Sequence, residues 1–509
     1  MRKRLLVASF TSLFAIVALR SAWMHDDAYI TFRTVDNFIN GYGLRWNTAE
    51  RVQAYTHPLW MFLVSAFYAV THEAFYTVIC LSIGLSAATV LVIGFGIASS
   101  TSTGVLGILV LTLSKAFVDY STSGLENPLT HFLYASFLVA FLRSEQNLAS
   151  LYLLSSIAAL CAFNRMDTLL LCLPVLLFVL AKAGRLSGVA VAAAGFLPLI
   201  VWEAFSLFYY GFPFPNTAYA KLFSTGVGAA SLARHGGYYL TNSARLDPLT
   251  LSAIGGGIAV GLASRETRSL PVIGGILAYL LYVVSIGGDF VTGRFLAAPL
   301  LGAVVLLSRW HSASTRLVLA TSALVLVVGF ASADPPPLST AAYGSTGKPQ
   351  MDANGIADER AYYYPYTGLL RTFHGVKPSD HPWAVEGARA RKEGGPLDIR
   401  GDIGLFGYYA GPAVHVLDLW GLGDPLLARL PARQDIRWRV GHFQRAVPDG
   451  YVETLASGQN RIADRSLARY YDKLAFVTRG RLFDPDRWLE IWKLNTGRYD
   501  LLIHGDVSK

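Results

Sequence analysis

The sequence predicts a polytopic α-helical membrane protein of about 11 transmembrane helices, followed by a C-terminal extracytoplasmic α/β domain. Three observations predict it. Of 509 residues, 53% are hydrophobic and only 15% charged, mean hydropathy is +0.40, and the apolar stretches crowd the first two thirds of the chain, ending at a Pro, Gly and Ser-rich segment near residue 333. This composition excludes an ordinary soluble enzyme. The 43 Lys plus Arg against 34 Asp plus Glu give a net charge of +9. That surplus is too diluted by apolar sequence for a nucleic-acid binder, and basic cytoplasmic loops account for it better.

The apolar stretches run at about 5–23, 75–98, 103–118, 128–142, 148–164, 168–183, 187–209, 248–263, 270–286, 294–308 and 315–332. Several are shorter than the roughly 20 residues that cross a 30 Å hydrocarbon core, so their ends extend or the bilayer thins around them. The first follows MRKR like a signal peptide. It carries Arg20 and lacks a small-residue cleavage site, so it is expected to stay as an anchor. Placing MRKR, Arg143, Lys182, Arg185, Arg265, Arg268, Arg309 and Arg316 in the cytoplasm orients the rest. The 14-residue piece 58–71 (PLWMFLVSAFYAVT) is about 21 Å long as a helix, too short to cross. It is expected in the outer interface as a juxtamembrane helix, with Trp60, Phe62, Phe67 and Tyr68 as anchors. The N-terminus is then expected in the cytoplasm and the C-terminus on the outer side of the membrane.

The domain reading is a membrane catalytic part over 1–332, with an outer loop at 25–74, a linker at 333–350, and an extracytoplasmic domain at 351–509. Short apolar runs such as AVHVLDL, set between Gly and Pro turns, suggest the mixed α/β character of the last. Cys80, Cys161 and Cys172 sit in apolar runs and read as small core residues.

With this topology the densest polar motifs share the outer side: HDDAYITFR (25–33), GLRWNTAERVQAYTHPLW (43–60), STSGLENPL (121–129), NRMD (164–167), YGFPFPNTAYAK (210–221) and GGDFVTGR (287–294). Ionisable groups near membrane depth are costly, so their clustering points to a site. Asp26 and Asp27 are the sharpest signal. Glycosyl transfer needs a carboxylate near the acceptor hydroxyl and the developing oxocarbenium ion, although an Asp pair also caps helices. Arg33, His57, Arg165, Lys221 and Arg294 are the cations available to a lipid phosphate, with snorkelling as the alternative for each. Glu126 and Asp289 fit sugar-hydroxyl or metal ligands. Helix capping, or pairing of Asp289 with Arg294, would explain them too. Aromatics such as Tyr362, Tyr363, Tyr364, Tyr408, Tyr409 and Trp420 could stack on sugars or simply pack.

The succession HDDAYITFR, GYGLRWN, ERVQAYTHPLW, SGLENPL, NRMDT, PNTAYAK and GGDFVTGRFL resembles bacterial GT-C-type glycosyltransferases, across almost the whole membrane part. The tail motifs DIGLFGYYAGPAVHVLDLWGLGDPLLARLPA (402–432) and WRVGHFQRAVPDGY (438–451) are similar to those of mycobacterial terminal β-(1→2)-arabinofuranosyltransferases. The resemblance implies a GT-C-like fold acting on the outer membrane face. It implies a polyprenyl-phosphate arabinofuranose donor and an extracytoplasmic glycan or protein acceptor, such as cell-wall arabinan or a pilin. It makes Asp26 and Asp27 the catalytic pair, and His57, Arg165, Lys221 and Arg294 the donor-phosphate residues. Arg33, Glu126, Asp167, Asn216 and Asp289 become substrate-binding. If a β product arises from a β donor, configuration is retained and base-assisted displacement alone is not the whole mechanism. The sequence shows no compact multi-carboxylate metal site, so no cofactor is expected and no divalent metal is obligatory. The rivals are a GT-C transferase for mannose, another hexose or aminoarabinose, and a lipid-linked glycan transporter. The transporter would show midplane charges and an internal repeat, neither of which is evident.

Overall fold

The computed structural model describes residues 2–223, 225–345, 350–434 and 438–504. Of the expected linker, residues 346–349 lie outside the described residues. The chain forms two compact units, each discontinuous in sequence: residues 1–25, 73–199 and 229–376 in the first, and 26–72, 200–228 and 377–509 in the second. This division does not follow the 332/333 boundary read from the sequence. Residues 333–376 fold with the first unit, and the tail from 377 folds with two loop segments from the membrane part.

The first unit is a helical bundle around Ala297–Ser308, a 12-residue helix in which every residue is buried. Against it pack Pro248–Ala263, Thr101–Leu113, Ser269–Ser285 and Asn127–Arg143. Helix starts are set by side-chain caps: Ser100 with Thr103, Asn147 on Ser150, Asp247 on Thr250 and Ser314 on Leu317. Each satisfies backbone donors that the first turn leaves open. The described part of the linker is not slack, since Arg20 donates to the Ser339 carbonyl (2.9 Å) and Arg360 to the Ser339 hydroxyl.

Helices occupy all eleven apolar stretches. Among the described residues, three helices are long and apolar enough to cross a membrane, Lys3–Ser21, Phe75–Ile97 and Met166–Ala183, or up to five if two bent pairs count as one span each. That is fewer than the eleven expected. Ala297–Ser308 shows the reason: it spans about 18 Å and is enclosed by protein, so its apolar composition reflects burial in the bundle rather than contact with lipid.

In the second unit, Leu397–Arg400 pairs in parallel with His415–Asp418, Leu397 facing His415. The short helix Gly404–Ala410 makes the crossover and packs on Pro382–Glu393. Among the described residues the α/β character expected of the tail is confined to these two strands, and beyond them the regular structure is chiefly the helices Tyr451–Ser457, Arg465–Arg479 and Pro485–Asn495 set between irregular segments. Buried arginines tie the loop segments to the tail. Arg51 donates to the carbonyls of Val477 (3.1 Å) and Gly480 (2.6 Å), Arg487 to those of Phe208 (2.7 Å) and Tyr209 (3.0 Å), and Arg445 to that of Ala220 (2.6 Å).

A helix forms over Pro58–Thr71, with the limits expected. Its anchors differ: Trp60 is fully buried, Tyr68 is buried and donates to Asp36 (2.7 Å), and Phe62 packs on Phe38 and Trp202. Only Phe67 of the four is exposed, because the helix spends its aromatic face on Asp26–Ile39. Cys161 and Cys172 are buried and Cys80 is exposed.

Candidate functional site

In the first unit, helix Leu148–Asn164 ends beside the start of Asn127–Arg143. The Asn164 amide locks the two together, donating to the Glu126 carbonyl (3.2 Å) and the Thr130 hydroxyl (2.8 Å). Arg165 follows in extended backbone and reaches carboxylate oxygens on two residues. Its Nη1 donates to Glu126 Oε1 (2.7 Å), Nε to Asp167 Oδ1 (2.8 Å) and Nη2 to Asp167 Oδ2 (2.9 Å). Glu126 therefore spends its carboxylate on Arg165 and makes no side-chain cap. Burial opposes the Arg165 charge, but Asp167, Tyr279 and Glu126 outweigh it and hold the guanidinium well above its ordinary pKa.

Asp289 and Arg294 close a turn begun by Gly287 and Gly288, both at positive φ. Asp289 Oδ2 lies 2.7 Å from Arg294 Nε, an ion contact without the alignment of a hydrogen bond. The Phe295 ring lies beneath both cations, 4.6 Å from Arg165 and 5.2 Å from Arg294. Glu126, Arg165, Asp167, Asp289 and Arg294 thus form one cluster of two cations and three carboxylates, which the sequence placed in three separate loops. His25 also belongs to this unit, its backbone N–H on the Ser123 carbonyl (2.9 Å) and its ring 3.7 Å from Glu359. Sequence reasoning missed a second charge cluster here. Lys115 contacts Asp119 (2.5 Å) and Asp358 (3.1 Å), and Arg360 contacts Asp119 (2.8 Å). Its signal was an i,i+4 Lys and Asp pair at the end of an apolar stretch.

In the second unit Asp26 opens helix Asp26–Ile39, and its carboxylate is buried. Its two oxygens accept the backbone N–H groups of Gly404 (3.0 Å) and Leu405 (2.6 Å). A Cβ on Gly404 would run into the Asp26 carbonyl oxygen, so glycine is what allows this approach. Burial pushes the Asp26 carboxyl up to about 7; the Leu405 hydrogen bond opposes it, and the charges of Asp27 and Asp402 add to it. Asp27 is half-buried. Within its electrostatic reach lie Asp26, Asp402 and His442. Arg439 donates to His442 (2.8 Å) and also reaches Asp402, while Lys221 acts on both His442 and Asp418. Burial, with Arg439 and Lys221, keeps the His442 ring well below its ordinary pKa and neutral. Asp402 also lines an open hollow of about 230 Å³ with Trp383, Ile399, Arg400, Gly401 and Phe406. In it, Arg400 lies 4.1 Å over the Phe406 ring, held by Asp398 (3.0 Å) and Glu386 (2.6 Å).

Three expected site residues have other uses. Arg33 is buried and donates to the carbonyls of Trp46 (2.9 Å), Gly407 (2.7 Å) and Val414 (2.7 Å), with Asn47 Oδ1 at 3.3 Å. Asn216 donates to the carbonyls of Gly421, Leu422 and Asp424 and accepts from Arg429 (3.0 Å). Both side chains spend their hydrogen bonds on the fold, and the sequence around them does not show which backbone carbonyls a buried polar side chain will reach. His57 has Thr31 Oγ1 2.7 Å from Nε2 and Thr56 Oγ1 3.3 Å from Nδ1. Conversely, Asp402, Arg439 and His442 were not singled out, although each lies in a quoted tail motif. Among the described residues, no group of three or more His, Cys, Asp or Glu side chains is placed to hold a metal ion.

No family model matches the chain. Over 88% of its length it is 25% identical to the terminal β-(1→2)-arabinofuranosyltransferase of Mycobacterium tuberculosis, covering 84% of that protein. It is also 25% identical to the enzyme of the same name from Corynebacterium glutamicum, covering 78% of that protein. The resemblance read from the motifs is thus matched along nearly the full chain. The crystal structure of ArnT from Cupriavidus metallidurans bound to undecaprenyl phosphate aligns with a TM-score of 0.46 at 14% identity, over 80% of this chain and 74% of that one. That likeness is too distant to bear on the site.

Proposed function

We propose that this protein is a membrane glycosyltransferase that moves arabinofuranose from a polyprenyl-phosphate donor to an acceptor outside the cytoplasmic membrane. The observation that carries the reading is the half-buried Asp27, set among Asp402, Arg439, His442 and Lys221 in a chain 25% identical to two arabinofuranosyltransferases. Asp27 takes the proton of the acceptor hydroxyl as the acceptor oxygen bonds to C1 of the sugar. The bond from C1 to the phosphate oxygen breaks, and polyprenyl phosphate leaves. Asp26, with both oxygens on backbone donors, positions Asp27 and does not act on substrate. Lys221 and Arg439 balance the carboxylates around Asp27. Within the first unit, Arg165 and Arg294 have the geometry to take a phosphate in exchange for Asp167 or Asp289. The hollow beside Asp402 receives the acceptor sugar, with Trp383 as its apolar wall. No divalent metal is required.

The test uses purified protein in nanodiscs with radiolabelled polyprenyl-phosphoryl arabinofuranose and membrane-derived acceptors, comparing wild type with Asp27→Asn. Transfer by wild type that falls by about 10² to 10⁴ in the variant supports the reading. Transfer only from another polyprenyl-linked sugar removes arabinose and keeps the enzyme class. No transfer from any lipid-linked sugar, with lipid movement across the bilayer instead, would make the protein a transporter.

A further inference from the structure

Among the tail helices, Pro485–Asn495 has two faces. Arg487, Glu490 and Ile491 are buried, whereas Trp488 (42% exposed), Leu489 (48%) and Trp492 (49%) lie together on the opposite side within about 100° of the helix circumference. Phe483, just before the helix, is 83% exposed. A soluble domain rarely presents four large apolar side chains as one patch, two of them tryptophan. Nor does the patch stand alone. Phe208, near the end of the apolar helix Leu197–Tyr209, packs against both Phe483 (ring centroids 5.4 Å apart) and Trp488 (5.8 Å). On that helix Phe208 continues an exposed stripe of Ile200, Val201 and Ala204, spaced to share its face. An exposed apolar stripe on a helix of this composition is a lipid-facing one, and here it runs without interruption onto tail aromatics.

Polar groups frame the patch as a membrane boundary would require. Arg481 and Arg498 are exposed beside it, and the Arg498 guanidinium sits 4.5 Å over the Trp492 ring. Tryptophan with a cation at its rim is the combination that prefers the headgroup level, with an apolar body facing the acyl chains and a polar edge facing water. The buried Arg487, which donates to the Phe208 and Tyr209 carbonyls, fixes this helix to the end of the apolar one, so the two surfaces form one rigid piece.

We propose that Phe483, Trp488, Leu489 and Trp492 form a membrane seat, by which the C-terminal helical segment rests in the headgroup region of a phospholipid bilayer. This part of the tail is then a monotopic element, held at the depth where Leu197–Tyr209 leaves the hydrocarbon. The inference does not depend on the transferase reading, since it concerns lipid and not the sugar.

The experiment places a nitroxide label on the full chain in phosphatidylcholine and phosphatidylglycerol nanodiscs. Cys80→Ser provides the background, because the other two cysteines are buried. Labels go separately at Trp488→Cys, Leu489→Cys and Phe483→Cys, with Ser457→Cys, on an exposed tail position, as the reference. Relaxation by dissolved oxygen against a water-soluble nickel chelate reports the surroundings. The seat requires an oxygen-to-nickel accessibility ratio at least about tenfold above that at Ser457 for all three labels. Ratios equal to the reference would overturn it, and so would labels reached by neither agent, which would mean that protein covers the patch. Transfer activity of the labelled protein, assayed in the same discs, reports separately on the transferase reading.

Discussion

Replacing Asp26 by asparagine should change how stability depends on pH, and the size of the change can be worked out from its surroundings. The Asp26 carboxyl is raised from 3.8 to about 7, chiefly by desolvation. Its folded pKa therefore exceeds its unfolded one. Between those values the folded protein holds a proton that the unfolded chain has lost, so the stability contributed falls as pH rises from about 4 to about 7 and stays low above that. A difference of about 3 units corresponds to about 4 kcal/mol, an upper figure for a buried group. The two backbone hydrogen bonds are already counted in that shift, because they act on the charged form.

The carboxamide of the Asp26→Asn variant would be neutral at every pH and close in shape to the protonated acid, but its nitrogen cannot accept the second backbone N–H, a pH-independent cost of about 1 to 3 kcal/mol. Near pH 5 about a third of the wild type's loss, about 1.6 kcal/mol, has already occurred, so the variant's margin over the wild type is smallest at the acid end and widens towards pH 7. At pH 8 the variant should be the more stable, by up to about 4 °C if a unit of this chain's length melts cooperatively. Asp418 and Asp424, raised to about 6 and about 7 by burial, give slopes of the same sign, so the variant's curve should flatten only in part. Differential scanning fluorimetry of both proteins in one detergent, from about pH 5 to pH 8, measures this. Parallel curves would refute the buried-carboxylate account. A stability cost retained at such a position is what a site residue shows and a cap does not require.

Three further outcomes are expected from the same geometry. Gly404→Ala should separate Asp26 from its backbone donors and cost about 2 kcal/mol or more of stability, read as a lowered melting temperature, because the added Cβ meets the Asp26 backbone. Trp383→Ala should raise the acceptor KM by about tenfold while leaving kcat within a few fold, since the wall it removes contributes binding shared by ground and transition states; a fall in kcat alone would place the acceptor elsewhere. Transfer should persist in excess EDTA, and its loss, restored by Mg²⁺ or Mn²⁺, would overturn the metal-independent mechanism.

How much was legible in the sequence depended on what each side chain faces. Helix positions were readable from apolar runs, and Pro58–Thr71 emerged with its limits intact. The number of crossings was not readable, because Ala297–Ser308 is as apolar as a span while being buried in protein on all sides. The cluster of Glu126, Arg165, Asp167, Asp289 and Arg294 was legible as a set of charges at span ends, since each is costly there without a partner. What the sequence could not supply was the Asn164 tie that aligns Arg165 with Glu126, or the Phe295 ring beneath both cations.

Arg33, inside helix Asp26–Ile39, and Arg165, just past helix Leu148–Asn164, show how differently two arginines of polar motifs are held. Arg33, Arg51, Arg445 and Arg487 direct their donors to neutral groups, almost all backbone carbonyls. Burial lowers their pKa, to about 9 for Arg33 and about 10 for Arg445 and Arg487, and outweighs the opposing charges of Asp36 on Arg33 and Asp418 on Arg445. Each fork bonds carbonyls that turns and helix ends leave open, so it satisfies buried acceptors that no regular secondary structure reaches. An incoming phosphate would have to pull such a cation out of the fold. Arg165 and Arg294 already face carboxylates, so a phosphate replaces one anion by another and leaves the surrounding backbone bonded as before. Anion exchange is therefore open to Arg165 and Arg294, whereas Arg33, Arg51, Arg445 and Arg487 are held by the fold.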